Sequence, residues 1–405
     1  MKNISVDHHY KIAVILSSVS MVFGIFREIL IVYLIGFTAT NDILQLYLSI
    51  FYTIGLSIDA MRLSCLNLYA ILSLRQILIA GSIITLPLAI GIGLIMNYFS
   101  DGLNFTLLFV IIISGYLNLL VALLVTYKQR NNSFLLAQIV NVIPNFIIIP
   151  GILFSYLFFK NNIITAIVCF TSITPVVQCI LLLMIPHHSI AMESHKKINL
   201  WMSVKIFMRH LTAVIGDQLF QVMIRSAFYN YGAGYLSMFS MVVRLYSAGR
   251  YILVDSFIGA RLANWQKKLQ RSDLFIDKSI RSTWQGILIA LIALMISLKT
   301  SATLLYVAMQ LIAILMLGFY FTTLVRIIYF KINHFENNPL IVIYFSLSEL
   351  ITALIAFLII QYSPYSILFL IWIGFIAKPF MQLFILKKHY HNLSLKMDAK
   401  NEELA

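Results

Sequence analysis

The sequence predicts an all-α polytopic membrane protein, with about twelve transmembrane helices in two six-helix lobes around a central cavity. Three observations carry that prediction. The chain is 61% hydrophobic and only 11% charged, whereas soluble domains carry about 25% charged residues. Its apolar residues fall in continuous runs, most long enough for the roughly 20 residues a helix needs to span hydrocarbon, and not in the short alternating stretches of a membrane barrel. The basic residues concentrate in every second loop.

The apolar runs cover about 11–35, 42–73, 76–99, 104–127, 133–158, 162–185, 209–231, 235–262, 283–298, 302–330, 339–361 and 364–386. One set of loops holds Lys2, Lys11, Arg75, Lys128, Arg130, Lys196, Lys197, Lys267, Lys268, Arg271, Lys278, Arg281, Lys331, Lys387, Lys388, Lys396 and Lys400. The other set holds little beyond Lys160 and Lys299. By the positive-inside rule the first set, and with it both termini, faces the cytoplasm. The net charge of +14 is therefore topogenic and does not mark a nucleic-acid surface. The polar start Met1–Lys11 and the charged first run lack the pattern of a cleaved leader, so the first helix is expected to stay in the membrane. Cys65, Cys169 and Cys179 lie inside apolar runs without metal-ligand spacing and read as small core residues.

The longest internal polar stretch, Pro186–Arg209, divides the chain. Its end, with Leu200, Trp201, Val204, Phe207 and Met208 on one face, predicts an amphipathic helix on the cytoplasmic membrane surface. The expected organisation is a lobe over 1–186, a connector over 187–208, a second lobe over 209–388 and a tail over 389–405. His187, His188 and His195 have no carboxylate or cysteine framework around them and read as solvated, with no metal or cofactor expected. A second basic surface segment covers Asn264–Arg281. Runs four and ten both leave the membrane through a basic, Asn-bearing turn, and such internal duplication places a substrate site between halves near the mid-plane. Pro87, Pro144, Pro150, Pro175 and Pro379 fall inside runs, where they serve either as tolerated kinks or as bending points.

Charge inside the apolar runs is the main functional signal. It comprises Arg27, Glu28, Asp42, Asp59 and Arg62 in the first half. The second half has Asp217, Arg225, Arg244, Arg250, Asp255, Arg326, Glu349 and Lys378. An arginine at the centre of a spanning helix costs roughly 2.5–3.5 kcal/mol and usually faces a bundle interior or a watery cavity. Asp59 and Arg62 share a helix face, as do Arg244 and Asp255. Arg27 and Glu28 point about 100° apart, so each is expected to find a partner on another helix. Arg250, Arg326 and Lys378 read as internal ion pairs or as cations snorkelling from helix ends. Arg27 and Arg244 lie mid-run in the two halves and read as functional. With Glu28, Asp42, Arg62, Arg225 and Arg250 they form the candidate substrate-binding set. Guanidinium groups grip phosphate oxygens bidentately, so an arginine-lined interior suits a phosphate or pyrophosphate. Tyr229, Asn230 and Tyr231 are candidates for contact with a sugar.

The segment FGIFREILIVYLIGFTATND, with Gly24, Arg27, Glu28, Gly36 and Asp42, resembles the opening signature of the MviN/MurJ-type lipid II flippases of the multidrug/oligosaccharidyl-lipid/polysaccharide exporter superfamily. YKQRNNSFLLAQIVNVIPN, GYLSMFSMVVRLYSAGRYILVDSFIGARL and FKINHFENNPLIV resemble further stretches of that family. The resemblance implies that Arg27 and Arg244 hold a substrate pyrophosphate in a central cavity, with Asp42 at a periplasmic gate. It also implies a polyprenyl-linked saccharide as substrate in a bacterial inner membrane, with membrane lipids and polysaccharide-assembly proteins as partners. The chain departs from the family in having Met21 and Gly55 where arginines are usual, with Arg62 the nearest replacement. It also has about twelve runs where the family has fourteen helices. These departures point toward a related flippase for an O-antigen or exopolysaccharide unit. Two other classes stay open: a membrane polysaccharide polymerase or ligase, and a small-molecule antiporter of the same superfamily. No loop assigned outside is long enough for the polymerase's external catalytic domain, and no Walker motif supports ATP hydrolysis.

Overall fold

The structure is a computed structural model that describes residues 2–68, 74–99, 103–130, 139–140, 142–184, 200–250, 287–300, 302–336, 339–362 and 367–386. Among the described residues every regular element is helical. The helices are α1 (Lys2–Ile35), α2 (Ala39–Leu68), α3 (Leu74–Phe99), α4 (Phe105–Arg130), α5 (Ile143–Phe158) and α6 (Ile163–Met184). They continue with α7 (Leu200–Tyr231), α8 (Tyr235–Arg250), α9 (Ile287–Lys299), α10 (Thr303–Glu336), α11 (Pro339–Tyr362) and α12 (Ile367–Leu386). Six of these, α3, α4, α6, α10, α11 and α12, contain stretches long and apolar enough to cross a membrane. Their faces are ordered as lipid demands. On α11 the large apolar Ile343, Leu347, Leu350, Leu354 and Leu358 are exposed, while Ser348, Thr352, Ala353 and Ala356 are buried. Small and polar residues at the helix contacts with greasy ones outside is the arrangement of a bundle whose solvent is hydrocarbon.

The packing divides the chain at Arg244 into two compact units. In the first, α2 is the centre: it packs against α3, α4, α6 and α7, and from Leu44 to Ile54 nearly every side chain is buried. α5 packs on α1 and α6, and α3 on α7. Because oil offers no hydrogen bonds, polar side chains tie these helices. Tyr47 on α2 accepts from the Asn104 N–H at the start of α4 (2.6 Å). Asn145 on α5 donates to the Ser20 carbonyl and hydroxyl of α1 (both 3.1 Å). α7 runs unbroken from Leu200, so the stretch expected to lie as a separate surface helix continues straight into the seventh run. No Gly or Pro interrupts it before Gly216. Residues 187–199 of the expected connector lie outside the described residues.

In the second unit α12 carries the main irregularity. Its helix widens to i→i+5 bonding over Ile373–Ala377, directly before Pro379. Proline has no N–H to offer the carbonyl four residues back, here that of Phe375. The freed carbonyl lies against Gly318 of α10, where an added Cβ would sit 2.3 Å from it. Tyr246 packs edge-on to Phe319 and Phe375 and hydrogen-bonds to Thr322 (3.3 Å). One turn along α12, Lys378 is buried and stands 4.0 Å from Glu349 of α11; Gln382 donates to Ser348 (3.1 Å). Lys378 is thus an internal ion pair and not a snorkelling cation. Pro144 starts α5 and does not kink it, because a proline at the first helical turn forfeits no helix bond.

Gly318→Ala is expected to destabilise the protein by about 1–3 kcal/mol, since it forces apart two backbones in contact. Gly91→Ala, where nothing lies within 4 Å of the new methyl, is expected to be neutral. Unfolding of the two variants in detergent checks the difference.

Candidate functional site

The site grows from the middle of α1. Phe26 and Ile29 face outward, whereas Arg27 (5% exposed) and Glu28 (2% exposed) turn inward. Arg27 Nη2 donates to Glu28 Oε1 at 3.0 Å. The two residues were expected to seek separate partners on other helices; the length of the arginine side chain lets its fork swing back to the neighbouring carboxylate. Glu28 does also have partners elsewhere. Arg244 Nε of α8 stands 3.3 Å from Oε1, and Gln45 Nε2 of α2 donates to Oε2 at 3.1 Å. One carboxylate therefore receives two guanidinium groups and an amide from three helices. Asp255, expected on the same helix face as Arg244, lies outside the described residues.

Tyr52, two turns beyond Gln45 on α2, organises the guanidinium groups. Arg244 Cζ sits 3.9 Å from the ring centroid and Arg27 Cζ 5.2 Å from it, both within cation–π range. From α7, Arg225 reaches across to α2, where Nη1 donates to Thr53 Oγ1 at 2.8 Å and to the Ser49 carbonyl at 3.4 Å. Arg225 lies within Coulombic reach of Arg244, Tyr52, Glu28 and Asp217. Among the described residues, three buried polar atoms here have no hydrogen-bond partner: Arg27 Nε, Arg225 Nε and the Tyr52 hydroxyl oxygen. The cluster sets Arg27, Arg225 and Arg244 against Glu28 and, within Coulombic reach of Arg225, Asp217, so cations outnumber carboxylates among the described residues.

A second polar contact lies at the α1–α2 turn. Gly36 takes φ 78° to reverse the chain. Thr38 caps α2 by accepting the Asn41 N–H (3.3 Å), and Asn41 Nδ2 donates to the Gly36 carbonyl (2.7 Å). This points the Asp42 carboxylate at the start of α8, where it accepts the N–H of Gly234 (2.5 Å) and of Ser237 (2.7 Å). A carboxylate at a helix N-terminus meets both free amides and the positive end of the dipole. Gly234, at φ 86°, admits the close approach, since a Cβ there would lie 2.7 Å from the Phe37 carbonyl oxygen. Phe228 and Phe239, stacked at 4.3 Å, brace the α7–α8 corner.

Of the candidate residues, the structure brings Arg27, Glu28, Arg225 and Arg244 into one cluster and puts Asp42 in the turn contact. The side chains of Arg62 and Arg250, like those of Asp59 and Arg326, lie outside the described residues. Arg225 is the described guanidinium beside the Ser49–Thr53 stretch, within a turn of Gly55, whereas Arg62 was named as the nearest replacement. Tyr231 packs edge-on to Tyr235 (4.8 Å), and Asn230 is exposed. The histidines at 187, 188 and 195 lie outside the described residues, among which no group of three metal-ligating side chains occurs. Gln45 and Tyr52 were not singled out from the sequence. Their signal is there nonetheless: Asp42, Gln45, Ser49, Tyr52 and Thr53 fall at helical spacing and form a polar stripe along an apolar helix.

Glu28→Ala is expected to be the most destabilising change in this cluster, costing about 3–5 kcal/mol, because it leaves buried guanidinium charge uncompensated. Arg27→Ala and Arg244→Ala each leave Glu28 one arginine and Gln45, and should cost less. Thermal unfolding of the purified variants orders the three.

No protein-family model and no curated protein matches the sequence. Solved structures do. The chain aligns with the lipid II flippase MurJ in an inward closed conformation at TM-score 0.68 and 20% identity, over 94% of this chain and 89% of that one. It aligns with an inward-facing multidrug resistance MATE family transporter of the MOP superfamily at TM-score 0.58 and 12% identity, over 95% of each chain. It aligns with the Vibrio cholerae MATE transporter VcmN at TM-score 0.55 and 13% identity, over 96% of this chain and 99% of that one. The chain has the fold shared by MurJ and MATE transporters, and these neighbours are transporters, not enzymes.

Proposed function

We propose that this protein is a flippase that moves a polyprenyl-pyrophosphate-linked saccharide, lipid II-like or an O-antigen or exopolysaccharide unit, across the bacterial cytoplasmic membrane by alternating access. In this reading twelve spanning helices form two six-helix lobes with both termini in the cytoplasm. The arginine cluster holds the diphosphate while the lipid tail stays in the bilayer. The observation that supports this most is the charge: Arg27 and Arg244 share Glu28 and lie over Tyr52, and Arg225 bonds to Thr53 beside it on α2. Guanidinium donors without partners in a low-dielectric interior favour an oxyanion.

The contact of Asp42 with the start of α8 closes the periplasmic end in this reading. Release of the substrate to that side then requires the carboxylate to leave the Gly234 and Ser237 amides. MATE transporters share the fold, which keeps a small-molecule antiporter as the second reading. Excess guanidinium charge at the site disfavours an organic cation as its cargo. The leaflet assay separates the two, because an antiporter would leave a lipid-linked sugar where it was placed.

In proteoliposomes, fluorescent lipid-linked saccharide should change leaflet with the wild-type chain. Arg27→Ala and Arg244→Ala should lower that rate at least a hundredfold while inserting normally. Full activity of both variants at equal insertion would remove the cluster from the substrate path. Asp42→Asn should keep head-group binding yet alter the transport rate, because it loosens one end of the cycle without touching the arginines.

A further inference from the structure

We infer that Tyr52 is itself a head-group ligand, and that its hydroxyl and the neighbouring arginine Nε–H groups offer hydrogen-bond donors to a multi-oxygen anion. This rests on the flippase reading and adds to it a residue and a ligand chemistry. Tyr52 is held by its ring: Arg244 lies over it at 3.9 Å, Arg27 at 5.2 Å, and Phe51 meets it edge-on at 5.5 Å. Its hydroxyl, by contrast, is buried with no hydrogen-bond partner among the described residues. Leaving such a group unsatisfied forfeits the hydrogen bonds it had in water, and native structures rarely leave one without a reason.

Two more unsatisfied atoms belong to the same cluster. Arg27 Nε and Arg225 Nε are buried without hydrogen-bond partners among the described residues, and Tyr52 lies within Coulombic reach of both arginines. The chemistry of the three is uniform. Each guanidinium Nε–H can only donate, and the phenol carries a donor hydrogen. What satisfies them together is a group with several acceptor oxygens and no need to donate. A phosphate or diphosphate fits that requirement, whereas a cation or an aliphatic amine does not.

The stacking also explains why tyrosine serves here better than serine or threonine. A ring packed against two cations is restrained, which limits where its hydroxyl can go. A short hydroxyl side chain would have no such anchor. It would also bond locally to its own helix, as Thr85, Ser155 and Thr352 do in this protein.

The test uses the full chain purified in detergent and three probes: farnesyl pyrophosphate, farnesol as the same tail without the oxyanion, and inorganic pyrophosphate as the head alone. Binding is read as a saturable rise in unfolding temperature. The wild-type chain is expected to respond to farnesyl pyrophosphate, weakly to pyrophosphate, and not to farnesol. Tyr52→Phe keeps the ring and removes only the hydroxyl. It should weaken farnesyl pyrophosphate binding about tenfold, the loss of one hydrogen bond to a charged group, with no drop in the unliganded unfolding temperature. Tyr52→Leu should lose more affinity and lower the unliganded temperature as well, because it removes the seat of both arginines. If Tyr52→Phe binds like wild type while Arg27→Ala and Arg244→Ala lose binding, the role given to Tyr52 is wrong and the arginine site stands. If the wild-type chain responds equally to farnesol and farnesyl pyrophosphate, or to neither, the oxyanion site itself is overturned.

Discussion

The shared carboxylate of Glu28 is the constraint on which the arrangement around it depends. Two guanidinium groups cannot sit side by side in oil without an anion between them. Glu28 supplies that anion on α1 and reaches both Arg27 and Arg244, with Gln45 fixing its second oxygen. By accepting from α1, α2 and α8 at once, it sets where those helices meet. The arrangement is not a set of closed pairs. Glu28 answers two arginines, while Arg225, within Coulombic reach of Asp217, bonds to a carbonyl and a hydroxyl of α2. The contact of Lys378 with Glu349 joins α12 to α11 in the other unit.

The second organising contact is made by backbone. Asp42 is placed by a turn whose parts are all local: a positive-φ glycine, a threonine cap and an asparagine folding back on the turn. Its target, the start of α8, is also local, a turn opened by Gly232 and Gly234. Neither turn needs the other in order to form. Their contact is a carboxylate against a helix end, an interaction that holds by charge and direction between buried groups. The bulge of α12 solves the opposite problem. There a proline frees a carbonyl, and Gly318 lets α10 lie directly against it.

Much of this was legible from residue order. The long apolar runs anticipated the helices, because a span must satisfy its own backbone and so writes itself as an unbroken stretch. Arg27, Glu28 and Arg244 stood out for the same reason: charge inside such a stretch is costly enough to need a purpose. Less visible were Gln45 and Tyr52, since a tyrosine or an amide in an apolar helix costs little and draws no notice alone. The pairing of Arg27 with its own neighbour was hidden too, as was the role of Arg225. Helix geometry places Cα atoms, while long side chains choose partners by what surrounds them.

What the sequence by itself determined is the class: a helical membrane chain with charged residues inside its apolar runs. This follows from the length of apolar runs and the cost of charge within them, both of which act over a few residues. What only the tertiary structure decided is partnership. That Glu28 serves both Arg27 and Arg244, that Arg225 crosses to Thr53, and that Tyr52 lies beneath two cations are facts about helices far apart in the chain. Nothing within a helix encodes which neighbour it will face. Packing settles that, through the requirement that each buried charge find its counterpart somewhere in the bundle.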